Sequence, residues 1–437
     1  TDNALRRSVI YEVYVRSHTP EGTFKAIEPD LDRIAALGVD IVWFMPIHPI
    51  GELNKKGSLG CPYANRDYRA VDPAYGTMED FKALVDEIHK RGMRCIIDVV
   101  YNHTSPDSVL FHEHPEFFYR GPDGRPGNKM GDWSDVIDLD YRCRALWDYQ
   151  IQSLCQWAEI VDGFRCDVAS FVPLEFWLKA RQEVAKVRPD CIWLAETVHQ
   201  SFGCMARRAG VYSMLDYDAY QAFDMEYEYD IREVFDKYLT GKTSLDHYLD
   251  MLNFQEAIYP ANYNKLRFLE NHDQPRIASF IPRESNLINY TAFLYFLKGT
   301  TLIYAGQEFK VAKRTDVTSR VVFERQEAPW LAELLRALRP IKKMPIETSG
   351  AFFLDEPKQD SILTGHYEMG DEQLYGVFNF HLVTGEADLP LPDGEYENLL
   401  GGSVTVKNGR IPAPMTPVLV HVTNHNLEQK SFKEHEG

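Results

Sequence analysis

Eight short apolar, β-rich runs recur between residues 8 and 306, separated by amphipathic stretches, and this alternation limits the folds open to the chain. The runs are SVIYEVYV (8–15), VDIVWFMPI (39–47), MRCIIDVV (93–100), GFRCDVA (163–169), CIWLAETV (191–198), VYSMLDY (211–217), LRFLEN (266–271) and TTLIYAG (300–306). Between them, PDLDRIAALG (29–38) ends in a glycine stop. TMEDFKALVDEIHKRG (77–92) carries a Thr cap, early acids, late bases and a final Gly, all helix-end signals. RALWDYQIQSLCQWAEI (144–160) repeats apolar residues at helical spacing. Strands alternating with helices imply a parallel sheet, and eight strands can close as a (β/α)₈ TIM barrel, an α/β fold. The alternative is an open doubly wound sheet, but no GxGxxG turn follows the first strand.

Two segments interrupt the pattern. Residues 104–138, including HEHPEFFYRGPDGRPGNKMGDWSD, are rich in Gly, Pro and polar residues and show no clear helix. They read as a short subdomain inserted after the third strand, since loops of this length are usually functional. From about residue 346, short strands and turns follow one another (AFFLD, SILTGHYEM, QLYGVFNF, GEYENLL, GSVTV, PVLVHV). That is the signature of an appended all-β sandwich. The expected organisation is therefore a barrel in two parts (1–103 and 139–345), an inserted subdomain (104–138), a C-terminal β-sandwich (346–425) and a polar tail (426–437).

Charged residues inside the apolar runs point to a site. In GFRCDVAS (163–170), Arg165 and Asp167 share one face of a strand, and Phe164, Cys166 and Val168 share the other. Buried opposite charges must pair to offset their desolvation, and such pairs often mark working sites. The third run brings Asp98, then Asn102 and His103. The fifth brings Glu196, and the seventh ends in Asn271, His272 and Asp273. A barrel places the ends of its strands on one rim, where active sites sit. Any one of these residues alone reads as a helix cap or turn residue; their coincidence at matching strand ends argues for a catalytic constellation.

Composition excludes other classes. Lys and Arg number 47 against 65 Asp and Glu, a net charge of −18, which disfavours nucleic acid and anionic membranes as partners. No apolar run approaches the roughly 18 residues of a membrane span. Seven cysteines without a CxxC pair or zinc-like spacing read as structural thiols, which favours a reducing, cytoplasmic compartment. The chain starts at Thr1 without a signal-like segment, so a secreted or periplasmic location stays open if a leader has been trimmed.

DVVYNH (98–103), GFRCDVAS (163–170), LAETV (194–198) and FLENHD (268–273) resemble, in order, the four short motifs of the α-amylase family, glycoside hydrolase family 13. VIDLD (136–140) resembles its fifth motif, and PYANRDYRAVDPAYGT (62–77) and GTTLIYAGQE (299–308) are similar to further family segments. The resemblance spans residues 8–310. It implies Asp167 as nucleophile, Glu196 as general acid/base and Asp273 as third carboxylate. It also implies Tyr63, His103, Arg165 and His272 as sugar-site residues, with Asp98 as support for the arginine. Two carboxyl groups flanking a glycosidic bond suit a retaining mechanism. Arg165 is expected to lower the pKa of Asp167, and apolar or negative surroundings to raise that of Glu196.

The implied activity is retaining hydrolysis of α-1,4-glucosidic bonds in maltodextrins or starch-like glucans, so the expected partner is an α-glucan oligosaccharide or polysaccharide. No cofactor is required for this chemistry. Asn102 and Asp138 match positions that bind calcium in many relatives, and a hydrogen-bonded subdomain hinge is the alternative. The family often carries Lys-His three and four residues after the nucleophile; here Ser170 and Phe171 stand there. The resemblance therefore also admits a transglycosylase, or an exo-acting α-glucosidase opening α-1,6 or α-1,1 links. A non-catalytic sugar-binding relative is disfavoured by the intact carboxylates. Oligomeric state is not readable from the sequence.

Overall fold

The computed structural model describes residues 3–131 and 133–424. Its first part is a closed barrel of eight parallel strands. These are β1 (Val9–Val13), β2 (Ile41–Phe44), β3 (Arg94–Val99), β6 (Gly163–Cys166), β7 (Ile192–Ala195), β8 (Met225–Tyr227), β9 (Lys265–Arg267) and β10 (Thr300–Tyr304). The numbers four and five belong to a two-stranded ladder in the inserted subdomain, β4 (His103–Thr104) with β5 (Ile137–Asp138). β10 pairs with β1 and closes the ring, Val9 facing Thr301 and Glu12 facing Tyr304.

Strand alternation separates two apolar layers. Ile10, Trp43, Ile96, Leu194, Met225, Leu266 and Leu302 fill the inside of the ring. Tyr11, Val42, Ile97, Phe164, Cys166 and Trp193 face outward onto the helices. Between strands the helices are locally specified. Met78–Lys90 starts at Thr77, whose hydroxyl accepts the Asp80 N–H while the Asp80 carboxylate accepts the Thr77 N–H. This reciprocal cap satisfies two donors that the helix itself cannot.

The sixth strand corrects the sequence reading. Residues 211–215 pair with no strand, and Asp216–Ala219 forms a short helix. Tyr212, Leu215 and Tyr217 stay exposed, so this apolar run lacks the burial that would make it a strand. The barrel uses Met225–Tyr227 instead, a run interrupted by Glu226, which is buried 3.2 Å from the ammonium of Lys265 on β9. Apolar count favoured the wrong segment, because a buried ion pair leaves no apolar signal in the strand it occupies. The seventh strand is also shorter than its run: pairing stops at Arg267, and residues 268–273 turn into the rim.

The inserted subdomain does contain helix, contrary to the sequence reading. Val109–Glu113 forms one turn capped by the Ser108 hydroxyl, followed by a 3₁₀ turn at Pro115–Phe117. The C-terminal part is an antiparallel sheet of β11 (Ala351–Leu354), β12 (Ile362–Met369), β13 (Glu372–Asn379) and β18 (Val418–Thr423). Two ribbons, β14 (Glu386–Asp388) with β17 (Arg410–Pro412) and β15 (Gly394–Glu397) with β16 (Ser403–Val406), enclose a separate core around Val377, Leu389, Tyr396, Ile411 and Val420. The boundary read at residue 346 falls inside the helix Pro345–Ser349, so the sheet begins five residues later, at Ala351. The tail at 426–437 lies outside the described residues.

Candidate active site

Neighbouring strands fix the first contact. β3 and β6 run in register with Asp98 opposite Arg165, so both side chains enter the ring side by side. Arg165 is fully buried; its Nη1 donates to Asp98 Oδ1 at 3.0 Å and to Asp167 Oδ1 at 2.8 Å. Its Nη2 lies 3.2 Å from Glu196 Oε2, and its Nε donates to the Tyr227 hydroxyl at 3.1 Å. One guanidinium thus holds three carboxylates from three adjacent strands, a use of its planar fork that lysine could not reproduce.

Backbone geometry completes the pairing of Asp167 and Glu196. Val168, next after Asp167, adopts φ 36° and ψ 44°, a left-handed conformation that costs a β-branched residue on the order of 1–3 kcal/mol. That conformation aims the Val168 N–H at Glu196 Oε2, 2.7 Å away. Burial dominates the electrostatics. It raises Asp167 to about 6, with Arg165 pulling the other way and Asp98 adding to the rise. Arg165 does pull the Asp167 pKa down, as expected, but the guanidinium is shared among three carboxylates and does not offset desolvation, so the net position is raised. Glu196 rises further, to about 8, through burial and then through the charges of Asp167 and Asp273, against the opposing pull of Arg165.

Opposite this pair lies a second charged group. His272 stacks on Tyr63, with ring centroids 5.1 Å apart and an interplanar angle of 13°. The Tyr63 hydroxyl donates to Asp98 Oδ2 at 2.8 Å. His272 Nδ1 lies 2.5 Å from Glu12 Oε1 and its Nε2 lies 3.1 Å from Asp273 Oδ2. Burial disfavours the imidazolium, but Asp273 and Glu12 outweigh it and hold the His272 pKa well above its usual value. Burial likewise pushes Asp273 up, and His272 more than reverses this, leaving that carboxyl well below its usual range. Asp273 is the open member of the group, its side chain 51% exposed to the cleft. The Asn271 amide oxygen accepts the Asp273 and Gln274 N–H groups and so shapes the turn that presents it.

The structure thus gathers Tyr63, Asp98, Arg165, Asp167, Glu196, His272 and Asp273. His103 joins them from the subdomain side, its Nε2 4.0 Å from Asp167 Oδ2 and its pKa lowered by burial. Sequence reasoning missed Glu12 and Tyr227. Glu12 interrupts an apolar strand as Arg165 and Asp167 do, so the same alternation argument would have found it. Tyr227 was missed because its strand was misplaced. At Ser170 and Phe171 the Ser170 hydroxyl is buried without a hydrogen-bond partner, and Phe171 packs edge-on to Phe202.

Asn102 and Asp138 lie beside this site at the subdomain hinge, and their surroundings do not suit calcium. Asp138 Oδ2 accepts the Lys129 N–H at 2.7 Å and Oδ1 accepts the Asn128 amide at 3.3 Å. The Asn102 amide donates to His103 Nδ1 at 3.1 Å. The Lys129 ammonium reaches into the same hinge and donates to Leu139 O at 2.9 Å. Calcium takes six or more oxygens, and among the described residues no group of three or more His, Cys, Asp or Glu could hold a metal ion. Among the described residues, too, no helix is long and apolar enough to cross a membrane, and all seven cysteines are free.

Comparison with known proteins agrees with this geometry. Residues 9–134 and 128–330 match the model of the α-amylase catalytic domain, and residues 353–420 match that of the bacterial α-amylase C-terminal domain. An α-amylase from Lactobacillus plantarum superposes with a TM-score of 0.93 at 41% identity, covering 97% of this chain and 100% of that one. A noncanonic maltogenic α-amylase, AmyB from Thermotoga neapolitana, superposes with a TM-score of 0.85 at 34% identity, covering 96% and 99%. α-Amylase MalA of Haloarcula japonica is 29% identical over 322 residues, which are 71% of this chain and 45% of that protein. The chain therefore spans less than half the length of that curated relative. With one family model lying over most of the barrel and the other over the appended sheet, the chain belongs to the α-amylase family.

Proposed function

We propose that the protein is a retaining glycoside hydrolase that cleaves α-1,4-glucosidic bonds of maltodextrins. The observation that carries the reading is the Arg165 guanidinium, in contact with Asp167 at 2.8 Å and with Glu196 at 3.2 Å. It keeps the two carboxyls side by side, as a retaining pair about 5–5.5 Å apart requires; an inverting pair stands further apart to admit a water.

In the proposed reaction Asp167 attacks the anomeric carbon while Glu196 gives its proton to the departing glucosidic oxygen. The C–O bond breaks as the bond to Asp167 forms, through an oxocarbenium-like state. Glu196, now ionised, then takes a proton from water, which displaces Asp167 and restores the anomeric configuration. The raised Glu196 pKa keeps the acid loaded at neutral pH. Asp273, open to the cleft and ionised beside the His272 imidazolium, would take sugar hydroxyls. His103 and Tyr63 would contact the sugar from the other side. The Lactobacillus and Thermotoga relatives, described as an α-amylase and a maltogenic α-amylase, support α-1,4-glucan as the substrate class.

The test is hydrolysis of maltoheptaose, with the configuration of the first product followed by NMR. The α-anomer should form first, and Asp167→Asn should lower turnover by on the order of 10⁴-fold or more. A β-anomer at the earliest times, or wild-type turnover by the variant, would overturn the assignment.

A further inference from the structure

The calcium expected beside Asn102 and Asp138 finds no set of ligands, yet a cation does enter that hinge. Asp138 lies where three stretches of the subdomain cross. Its N–H donates to Gly127 O at 2.9 Å, its carbonyl accepts the Tyr119 N–H at 2.9 Å, and its carboxylate takes the 128–129 segment. The next residue, Leu139, donates its N–H to Asn102 O at 2.9 Å, tying the subdomain back to the end of β3. The carbonyl of this same Leu139 receives the Lys129 ammonium. Lys129 is half-buried; burial lowers its pKa, and the charges of Asp138 and Asp140 oppose that fall.

We infer that the ammonium of Lys129 is the built-in cation of this hinge, holding the subdomain over the nucleophile without a divalent ion. The oxygen it meets is the Leu139 carbonyl, of the type a hard cation prefers, with the charges of Asp138 and Asp140 further off. The consequence reaches the reacting centre through Asn102. Its backbone is pinned by Leu139, and its side-chain amide donates to His103 Nδ1. That leaves the proton of a neutral His103 on Nε2, the nitrogen 4.0 Å from Asp167 Oδ2. Lys129 is accordingly a positioning residue: it touches no reacting atom, but it fixes the hinge that orients His103.

The test combines metal, stability and kinetics on the whole chain. EDTA or added calcium should leave wild-type Tm and kcat/KM unchanged, and terbium should give no sensitised emission with the protein. Lys129→Met keeps the length and removes the charge; it should lower Tm by about 3 °C or more and kcat/KM by about tenfold. Lys129→Arg, which keeps the charge, should recover most of both. A fall in wild-type Tm with EDTA that calcium restores would overturn the inference. So would a Lys129→Met variant as stable and active as wild type. Should that variant fail to fold, the EDTA and terbium measurements on wild type and the behaviour of Lys129→Arg still decide the question.

Discussion

Glu12, on the first barrel strand, and His272, beyond the seventh, meet at 2.5 Å between Oε1 and Nδ1, although 260 residues separate them in sequence. The contact is buried at both ends and helps to hold the imidazole charged beside Asp273. Glu12→Gln should therefore release His272 toward a neutral imidazole and loosen the turn that carries Asp273. Breaking one side of a buried ion pair costs on the order of 3–5 kcal/mol. The sign follows from the raised pKa of His272: its stabilising contribution is complete below the unfolded value of about 6.5 and is lost as pH rises through the folded value. The Tm deficit of Glu12→Gln should thus be full below about pH 6.5 and close in alkaline solution. Thermal melts across pH check this, and a deficit that grows with pH would refute it.

Burial of the carboxyl pair sets the pH range of the reaction. In the proposed reaction Asp167 must be ionised to attack and is raised to about 6; Glu196 must be protonated to act as acid and is raised to about 8. The pair should give a bell-shaped profile of kcat/KM with limbs near those values, each limb belonging to the coupled pair. In Glu196→Gln the alkaline limb should disappear with substrates whose leaving group needs no proton, such as activated aryl maltosides. Retention of that limb would assign it to another group.

The same burial makes these residues costly to the fold. For an acid whose folded pKa lies above its unfolded one, the native state binds more protons, so stability falls as pH rises through that window. The windows run from the ordinary carboxyl range to about 6 for Asp167 and to about 8 for Glu196. Neutral Glu196→Gln should therefore melt about 2 °C or more above wild type at pH 8, with the gain vanishing near pH 4. Calorimetry at the two pH values would show it. A variant less stable than wild type at pH 8 would mean that the ion pair with Arg165 outweighs desolvation.

How much of this could be read from sequence depended on whether charge or apolar pattern carried the information. Asp98, Arg165, Asp167, Glu196, His272 and Asp273 stood out because charges interrupt apolar runs, and the barrel brings those strand ends together. Glu12 carried the same signal but no neighbouring motif drew attention to it. The sixth strand failed in the opposite sense: 211–217 looks like a strand but leaves Tyr212, Leu215 and Tyr217 exposed, whereas Met225–Tyr227 hides an ion pair with Lys265. The direction of the Asp167 shift was beyond any local reading. It is set first by burial, which outweighs the pull of Arg165, with Asp98 adding to the rise, and that burial exists only in the folded barrel.

Phe296 joins the barrel to the C-terminal sheet. It closes the helix Glu284–Phe296, and its ring meets those of Phe352, Tyr367 and Phe378 at centroid distances of 5.9, 5.2 and 5.3 Å. The Tyr367 hydroxyl donates to Phe296 O at 2.6 Å, so backbone and ring both bind the sheet. Gly365 and Gly376 face this ring; a Cβ at either position would lie 3.3 or 3.0 Å from it. Phe296→Ala should leave a cavity that the flat sheet cannot collapse into, at a cost of about 3–5 kcal/mol. Phe296→Leu, which refills part of the space, should cost less. Because the site lies at the other end of the barrel helices, kcat/KM on maltoheptaose at low temperature should stay close to wild type while Tm falls. If activity and Tm fell together at low temperature, the sheet would be contributing to the geometry of the catalytic rim as well as to stability.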